Sequence, residues 1–587
     1  MNFTILLVST LFCVSVVTAG RNVRVKTKQG EIVGKRKTYQ YKTGEVTNVV
    51  DSFLGVPYAT PPTGELRLKD PLPWTGQHGG RYFKVKPACK QNMEWITDII
   101  ELPEVEVGQS EDCLHLNIFS PKEKKDNLYP VMMFIHGGSL LGGTGNWFDG
   151  HVLAQFGVVV VSINYRLNAL GYLTDGNSTS DLPGDYGIFD QVMALKWIQE
   201  HIRAFRGDPD KVTIFGNSAG GWSVSLHLIL EQSKGLFHRA IVQSGPLNAA
   251  VSHATIGEVA SDLSRVAKKV GCSGTSADIK KCVREANATI ITQKYGNPAQ
   301  AVLYVGSRTL PQEPAFMLRN APLNKVPVMI GNVAHEVARF FSVMDDVDWF
   351  PITNKGILAL HEITEEKLIK ATRFILGAIF VDLPTRLQRL VLHEYRSWTT
   401  LDDEEKTVES FINMMSDIVM VAPTVQMASI LHSRGVQPYL YLFSHKMMMD
   451  LKHEKVSNFT WLSNYSYHES ELAYVFGAPV SRTAMKSVWH SSEGYTDADR
   501  YVSTNVMRLW TNFAKYGEPT RDGVAPQDIQ WTPFNPETTD YLDIGTTKFE
   551  MKQNLRAEKV DFWNKVMPAL EKGMTDDEGP TPPPVFV

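Results

Sequence analysis

The chain has 587 residues, 43% of them hydrophobic, and a formal net charge of −4 at pH 7. That composition is ample for a large core, and near-neutral charge without basic runs excludes nucleic acid as a natural partner. Length alone suggests about four domains, but α/β folds often run long as one unit.

Residues 1–19 form an apolar run closing on the small residues Val17, Thr18 and Ala19. They read as a secretory signal cleaved near Ala19, which makes the mature protein a secreted one. No later run reads as transmembrane, so no stable membrane insertion is expected. Five cysteines become four once Cys13 leaves with the signal. An even count in a secreted chain reads as disulfides, and four cysteines allow three pairings. Neighbours along the chain favour Cys89–Cys113 and Cys272–Cys282. Sequons at Asn177, Asn287, Asn458 and Asn464 are expected glycosylation positions on an extracellular surface.

Residues 23–58 alternate in short strand-like runs, with Gly30, Gly34 and Gly55 expected at turns. Residues 114–119, 131–135 and 158–163 read as buried strands. Their almost unbroken apolar character implies a parallel sheet covered on both faces. Residues 187–205 carry helical spacing and are followed by a strand at 212–215, a βαβ order. Further strands are expected at 240–243, 326–330 and 438–443. Residues 251–293 and 357–432 are mostly helical in pattern, and helices close the chain at 502–516 and 555–570. The acidic, proline-rich end, residues 573–587, is expected to be disordered. The expected organisation is a signal (1–19), one domain (20–572) and a tail (573–587).

The strand at 212–215 runs into Gly216-Asn217-Ser218-Ala219-Gly220 and then an amphipathic run. Strand, sharp turn and helix are the context in which a serine hydroxyl is presented as a nucleophile. Strand 131–135 runs into His136-Gly137-Gly138-Ser139, a loop type whose backbone N–H groups stabilise an oxyanion. Gly137, Gly138 and Ala219 are the expected donors. A serine nucleophile also needs a base and an orienting carboxylate. Residue physics alone leaves His227, His238, His361, His432 and His468 as candidates for the base. His335-Glu336 begins a zinc-hydrolase pattern, but Arg339 stands where the second histidine belongs. Neither metal nor cofactor is expected.

These blocks, with Phe53-Leu-Gly-Val-Pro-Tyr-Ala59, Glu111-Asp-Cys-Leu-His-Leu-Asn117, Asn164-Tyr-Arg-Leu167, Tyr186-Gly-Ile-Phe-Asp-Gln191, Gln243-Ser-Gly245 and Trp510-Thr-Asn-Phe-Ala-Lys515, resemble the type-B carboxylesterases of the cholinesterase/carboxylesterase family. The insect-type secreted esterases are the implied subtype. The resemblance implies an α/β-hydrolase fold: a central, mostly parallel twisted sheet, helices on both faces, and helical insertions that form a gorge. It implies hydrolysis of uncharged, small-molecule carboxylic esters through an acyl-enzyme intermediate. It selects Glu336 as the acid and His468 as the base for Ser218, places Ser244 beside them, and pairs the cysteines as above. The family also includes adhesion members whose triads have decayed, so a catalytically weak or inactive binding protein is the alternative.

Three positions depart from the family pattern. Asn217 stands where glutamate is most common, Val337 and Tyr465 where glycine is. Pro103 occupies the place of the choline-binding tryptophan, with Trp95 elsewhere in that loop, which argues against a dedicated cholinesterase. A loop rich in aromatics (Phe459, Trp461, Tyr465, Tyr467) precedes His468 and is expected either to wall the gorge or to pack in the core. A glycan at Asn464 would crowd the gorge mouth.

Overall fold

The computed structural model describes residues 21–38, 49–92, 108–122, 128–254, 262–293, 303–341, 384–395, 404–447, 464–481, 494–521 and 529–570, with a few isolated positions between them. The signal, the tail, Trp95, Pro103, His361, Asn458, Phe459 and Trp461 lie outside the described residues, as do several insertions expected to wall the gorge.

Twelve strands form one sheet. In chain order they are β1 (Arg21–Thr27), β2 (Gly30–Thr38), β3 (Val49–Pro57), β4 (His115–Pro121), β5 (Tyr129–Ile135), β6 (Val159–Ile163), β7 (Gly207–Asn217), β8 (Arg239–Gln243), β9 (Val328–Val333), β10 (Tyr439–Phe443), β11 (Tyr541–Ile544) and β12 (Phe549–Lys552). The order across the sheet is β1-β2-β3-β4-β6-β5-β7-β8-β9-β10-β11-β12. From β6 to β11 all neighbours run parallel. The flanking strands are antiparallel.

The apolar runs are explained by side-chain alternation between two cores. Along β5, Val131, Met133 and Ile135 enter one hydrophobic cluster, while Met132 and Phe134 enter another. Along β6, Val159, Val161 and Ile163 face the first and Val160 the second. The helix Tyr186–His201 covers the first face with Ile188, Val192, Leu195 and Ile198. The helix Asp497–Tyr516 covers the second with Val502, Val506, Leu509, Trp510 and Phe513. The result is a sheet between two helical layers, an α/β-hydrolase arrangement.

Some local expectations are corrected. Gly34 lies inside β2, and Gly55 (φ +74°) sits at a β-bulge where the register between Phe53 and Val56 shifts. Gly30 (φ +119°) opens β2 directly after the hairpin turn at Lys28 and Gln29. The strands joined by the helix Tyr186–His201, β6 and β7, are not neighbours, because β5 lies between them. The helical middle includes Asp262–Val270, Ser276–Glu285, Thr385–Tyr395 and Glu404–Ser416. After Glu404–Ser416 a π-turn, Asp417–Val421, precedes the helix Ala422–Ser433. Pro423 lies just past that turn and has no N–H to donate, which fits a break in the regular ladder there. The stretch Glu409–Ser433 is long and apolar enough to cross a membrane, but 78% of its most apolar window is buried inside the protein. It is a core helix by packing.

The disulfides Cys89–Cys113 and Cys272–Cys282 are both formed. Asn177, Asn287 and Asn464 are exposed.

Candidate active site

The loops at the carboxyl ends of the parallel strands carry the candidate residues, where α/β sheets place their sites. Ser218 follows β7 directly and has φ 58° and ψ −129°, a strained conformation for a residue with a side chain. Such strain costs on the order of 1–3 kcal/mol and persists only when the surroundings enforce it. Here they do. The Ser218 N–H donates to the carbonyl of Gln243 at 3.0 Å, and its carbonyl accepts the first helical bond, from Trp222 N–H, at 2.9 Å. A Cβ on Gly220 would lie 2.0 Å from the Ile135 carbonyl oxygen, and one on Gly221 would lie 2.8 Å from that of Gln243. Larger residues would push the turn away from the sheet.

Gly137 packs against this elbow. A Cβ there would meet the Asn217 carbonyl oxygen at 2.8 Å and Ser218 Cβ at 3.0 Å. Gly138 (φ +107°) and the following Ser139 and Leu140 all adopt positive φ. Ala219 opens the helix Ala219–His227, the position whose N–H has no intrahelical acceptor. The three expected oxyanion donors therefore come from two loops that meet at Ser218. His136 braces its loop: its ring stacks on Tyr165 at 4.4 Å, and Tyr165 Oη donates to the His136 carbonyl at 2.7 Å.

Glu336 lies three residues beyond β9. Its Oε1 accepts from Val333 N–H at 3.0 Å and from Ser244 Oγ at 2.6 Å. Its Oε2 meets His468 Nδ1 at 2.5 Å. The two loops are stitched by backbone: His335 N–H donates to the Ser466 carbonyl at 2.9 Å. With Nδ1 engaged by the carboxylate, Nε2 is the nitrogen left to act as base. Burial disfavours the charged imidazole, but the charge and hydrogen bond of Glu336 outweigh it, and the His468 pKa is raised.

Glu336, His468 and Ser244 are thus joined directly. Ser218 is tied by its backbone N–H to the carbonyl of Gln243, the residue before Ser244. The other histidines have different places. His227 is buried between Gln191 and Ser233, at 3.0 and 2.7 Å. His238 Nδ1 accepts from Val212 N–H at 3.2 Å, and His432 packs edge-on toward Phe534. Tyr465 and Tyr467 are buried in a cluster with Val337, Phe411 and Trp563, so they pack rather than line an open wall.

One residue was missed by sequence reasoning. Glu471 is buried and its Oε1 accepts from Asn217 Nδ2 at 2.7 Å. Its only signal was its place, three residues after His468. Asn217 stands where the resemblance implies a glutamate, and Glu471 supplies a carboxyl group there from another element.

A family model for the carboxylesterase family matches residues 21–563. Neuroligin-2 of Mus musculus and of Homo sapiens are each 32% identical to this chain over 609 residues, covering 94% of it and 68% of their own length. Neuroligin-3 of Mus musculus is 30% identical, covering 93% of this chain and 69% of its own.

Proposed function

The chain belongs to the carboxylesterase family, and from that premise we propose that it is an extracellular serine esterase that hydrolyses uncharged carboxylic esters. Ser218 Oγ attacks the ester carbonyl while His468 Nε2 takes its proton. The N–H groups of Gly137, Gly138 and Ala219 hold the oxyanion; a single such donor is typically worth about 10²–10³ in rate. His468 returns the proton to the departing alkoxide, leaving an acyl-serine. Water then repeats the sequence and releases the acid. Glu336 keeps the imidazole in the required tautomer and stabilises its charged form. The observation that carries this reading is the Ser244–Glu336–His468 chain of short hydrogen bonds beside a serine held in a strained elbow. Two disulfides and three exposed sequons support an extracellular setting.

A second reading has its own support. The relatives named above are neuroligins, and that similarity weighs toward a catalytically silent, cholinesterase-like adhesion protein with protein partners more than toward hydrolysis. Hydrolysis is placed first here because Glu336 and His468 are hydrogen-bonded and Ser218 stands in a strained elbow. One experiment separates the two. Under the first reading, an organophosphate labels Ser218 stoichiometrically, and Ser218→Ala abolishes turnover of a short-chain aryl ester without changing the circular-dichroism spectrum. A folded wild-type protein that neither labels nor turns over such esters supports the adhesion reading instead.

A further inference from the structure

Behind the relay lies a carboxyl group that the mechanism above does not use. Glu471 sits in the short helix Ser470–Val475 and is 1% exposed. Its Oε1 accepts two hydrogen bonds, from Asn217 Nδ2 at 2.7 Å and from Gln243 Nε2 at 3.1 Å. Asn217 precedes the nucleophile. Gln243 ends β8, and its carbonyl accepts the Ser218 N–H. The Gln243 amide is oriented in turn by Trp510 Nε1, which donates to its Oε1 at 3.4 Å. One carboxyl oxygen therefore ties together the nucleophile elbow, the strand leading to Ser244, and the helix that follows His468. The other oxygen, Oε2, is buried with no hydrogen-bond partner among the described residues.

Building on the esterase reading, we propose that Glu471 is a positioning residue that clasps the Ser218 elbow to the His468 helix, and that its charge adjusts the basicity of His468. Asn217 is the complement of that clasp. It offers a neutral N–H donor at a place where a second carboxylate would repel the first. The titratable groups facing Glu471 are Glu336, His468 and Tyr441, with Asn217 and Gln243 neutral. Burial and then the charge of Glu336 push its pKa up to about 7, while His468 pulls it down. Near neutral pH the group passes from neutral to charged, and the charged form favours the imidazolium that appears as Ser218 attacks.

Glu471→Gln tests this, because the amide oxygen still accepts from Asn217 and Gln243 while the charge is gone. Ser218 labelling should stay stoichiometric and KM unchanged, with kcat about tenfold lower above neutral pH, the effect of one pKa unit on the base. The acid limb of kcat/KM should change from two ionisations to one. Glu471→Ala removes the acceptor as well, and should also slow labelling. A Glu471→Gln protein with wild-type kcat and pH profile overturns the proposal. If the wild type shows no hydrolysis at all, the esterase reading fails, yet the clasp is still testable by melting temperature. The folded pKa lies above the ordinary value of 4.5. The stability contribution is therefore fully present below pH 4.5 and is lost as pH rises through about 7. The Tm advantage of Glu471→Gln over wild type should widen across that range, and a constant gap overturns the change of charge; Glu471→Ala should melt below Glu471→Gln, and equal Tm values for the two variants overturn the clasp.

Discussion

At the scale of single residues, the site depends on how buried charge is shared. Glu336 has three partners, Val333, Ser244 and His468, so its ionised form is fully hydrogen-bonded although it is 1% exposed. Removing that charge leaves His468 without the group that raises its pKa and fixes its tautomer. Glu336→Gln should lower kcat by about 10⁴, the cost of the equivalent change in serine proteases. It should also move the acid limb of kcat/KM to lower pH, because an imidazole freed of the carboxylate stays neutral further into acid. A pH-rate profile of the variant checks both; an unmoved limb means that Glu336 does not act on His468. The sequence motif pointed to Ser218, Glu336 and His468. It could not point to Glu471, because a carboxylate three residues after a histidine is an ordinary surface pattern until folding buries it against Asn217.

At the scale of elements, the motif blocks are joints between strands and helices. Arg166, in the loop after β6, is held by Asp190 of the helix Tyr186–His201 through two side-chain bonds, at 2.8 and 2.7 Å. Asp190 also accepts the Arg166 backbone N–H at 3.0 Å, and Arg166 Nη1 reaches the Lys69 carbonyl at 2.7 Å. Both side chains are buried, at 4% and 0% exposure. Breaking such a pair from one side leaves a charge that water cannot reach, at a cost of about 3–5 kcal/mol. Arg166→Met should lose stability of that order in urea unfolding, while Arg166→Met paired with Asp190→Leu recovers much of it. Equal losses in the single and double variants would contradict this account. The βαβ order of β6, helix and β7 was legible from apolar periodicity. That β5 lies between the two strands was not, since lateral position in a sheet leaves no trace in the local pattern.

At the scale of the whole molecule, burial of histidines sets the response to acid. His136, His227 and His335 are held neutral chiefly because burial disfavours their charged forms, with pKa values lowered to about 4, about 3 and about 3. A depressed folded pKa contributes stability above the unfolded value, near 6.5, that is lost as pH falls through the folded one. The protein should therefore lose melting temperature steeply between pH 6.5 and about 4, and replacing His227 with glutamine should make that slope shallower. A Tm that is flat across this range would show that these rings are not buried as described. The opposite trend expected for Glu471 is read only as a difference between wild type and Glu471→Gln, so the two do not interfere.

Taken alone, the amino-acid order determined what depends on neighbours in the chain: which runs are strands and where the elbow turns around Ser218. Tertiary structure alone decided what depends on residues far apart: the lateral order of the strands, the tautomer of His468, and the burial that joins Asn217, Gln243 and Glu471. The physical reason is that local propensity and side-chain size act over a few residues, whereas desolvation and hydrogen bonding act between whatever surfaces the fold presses together.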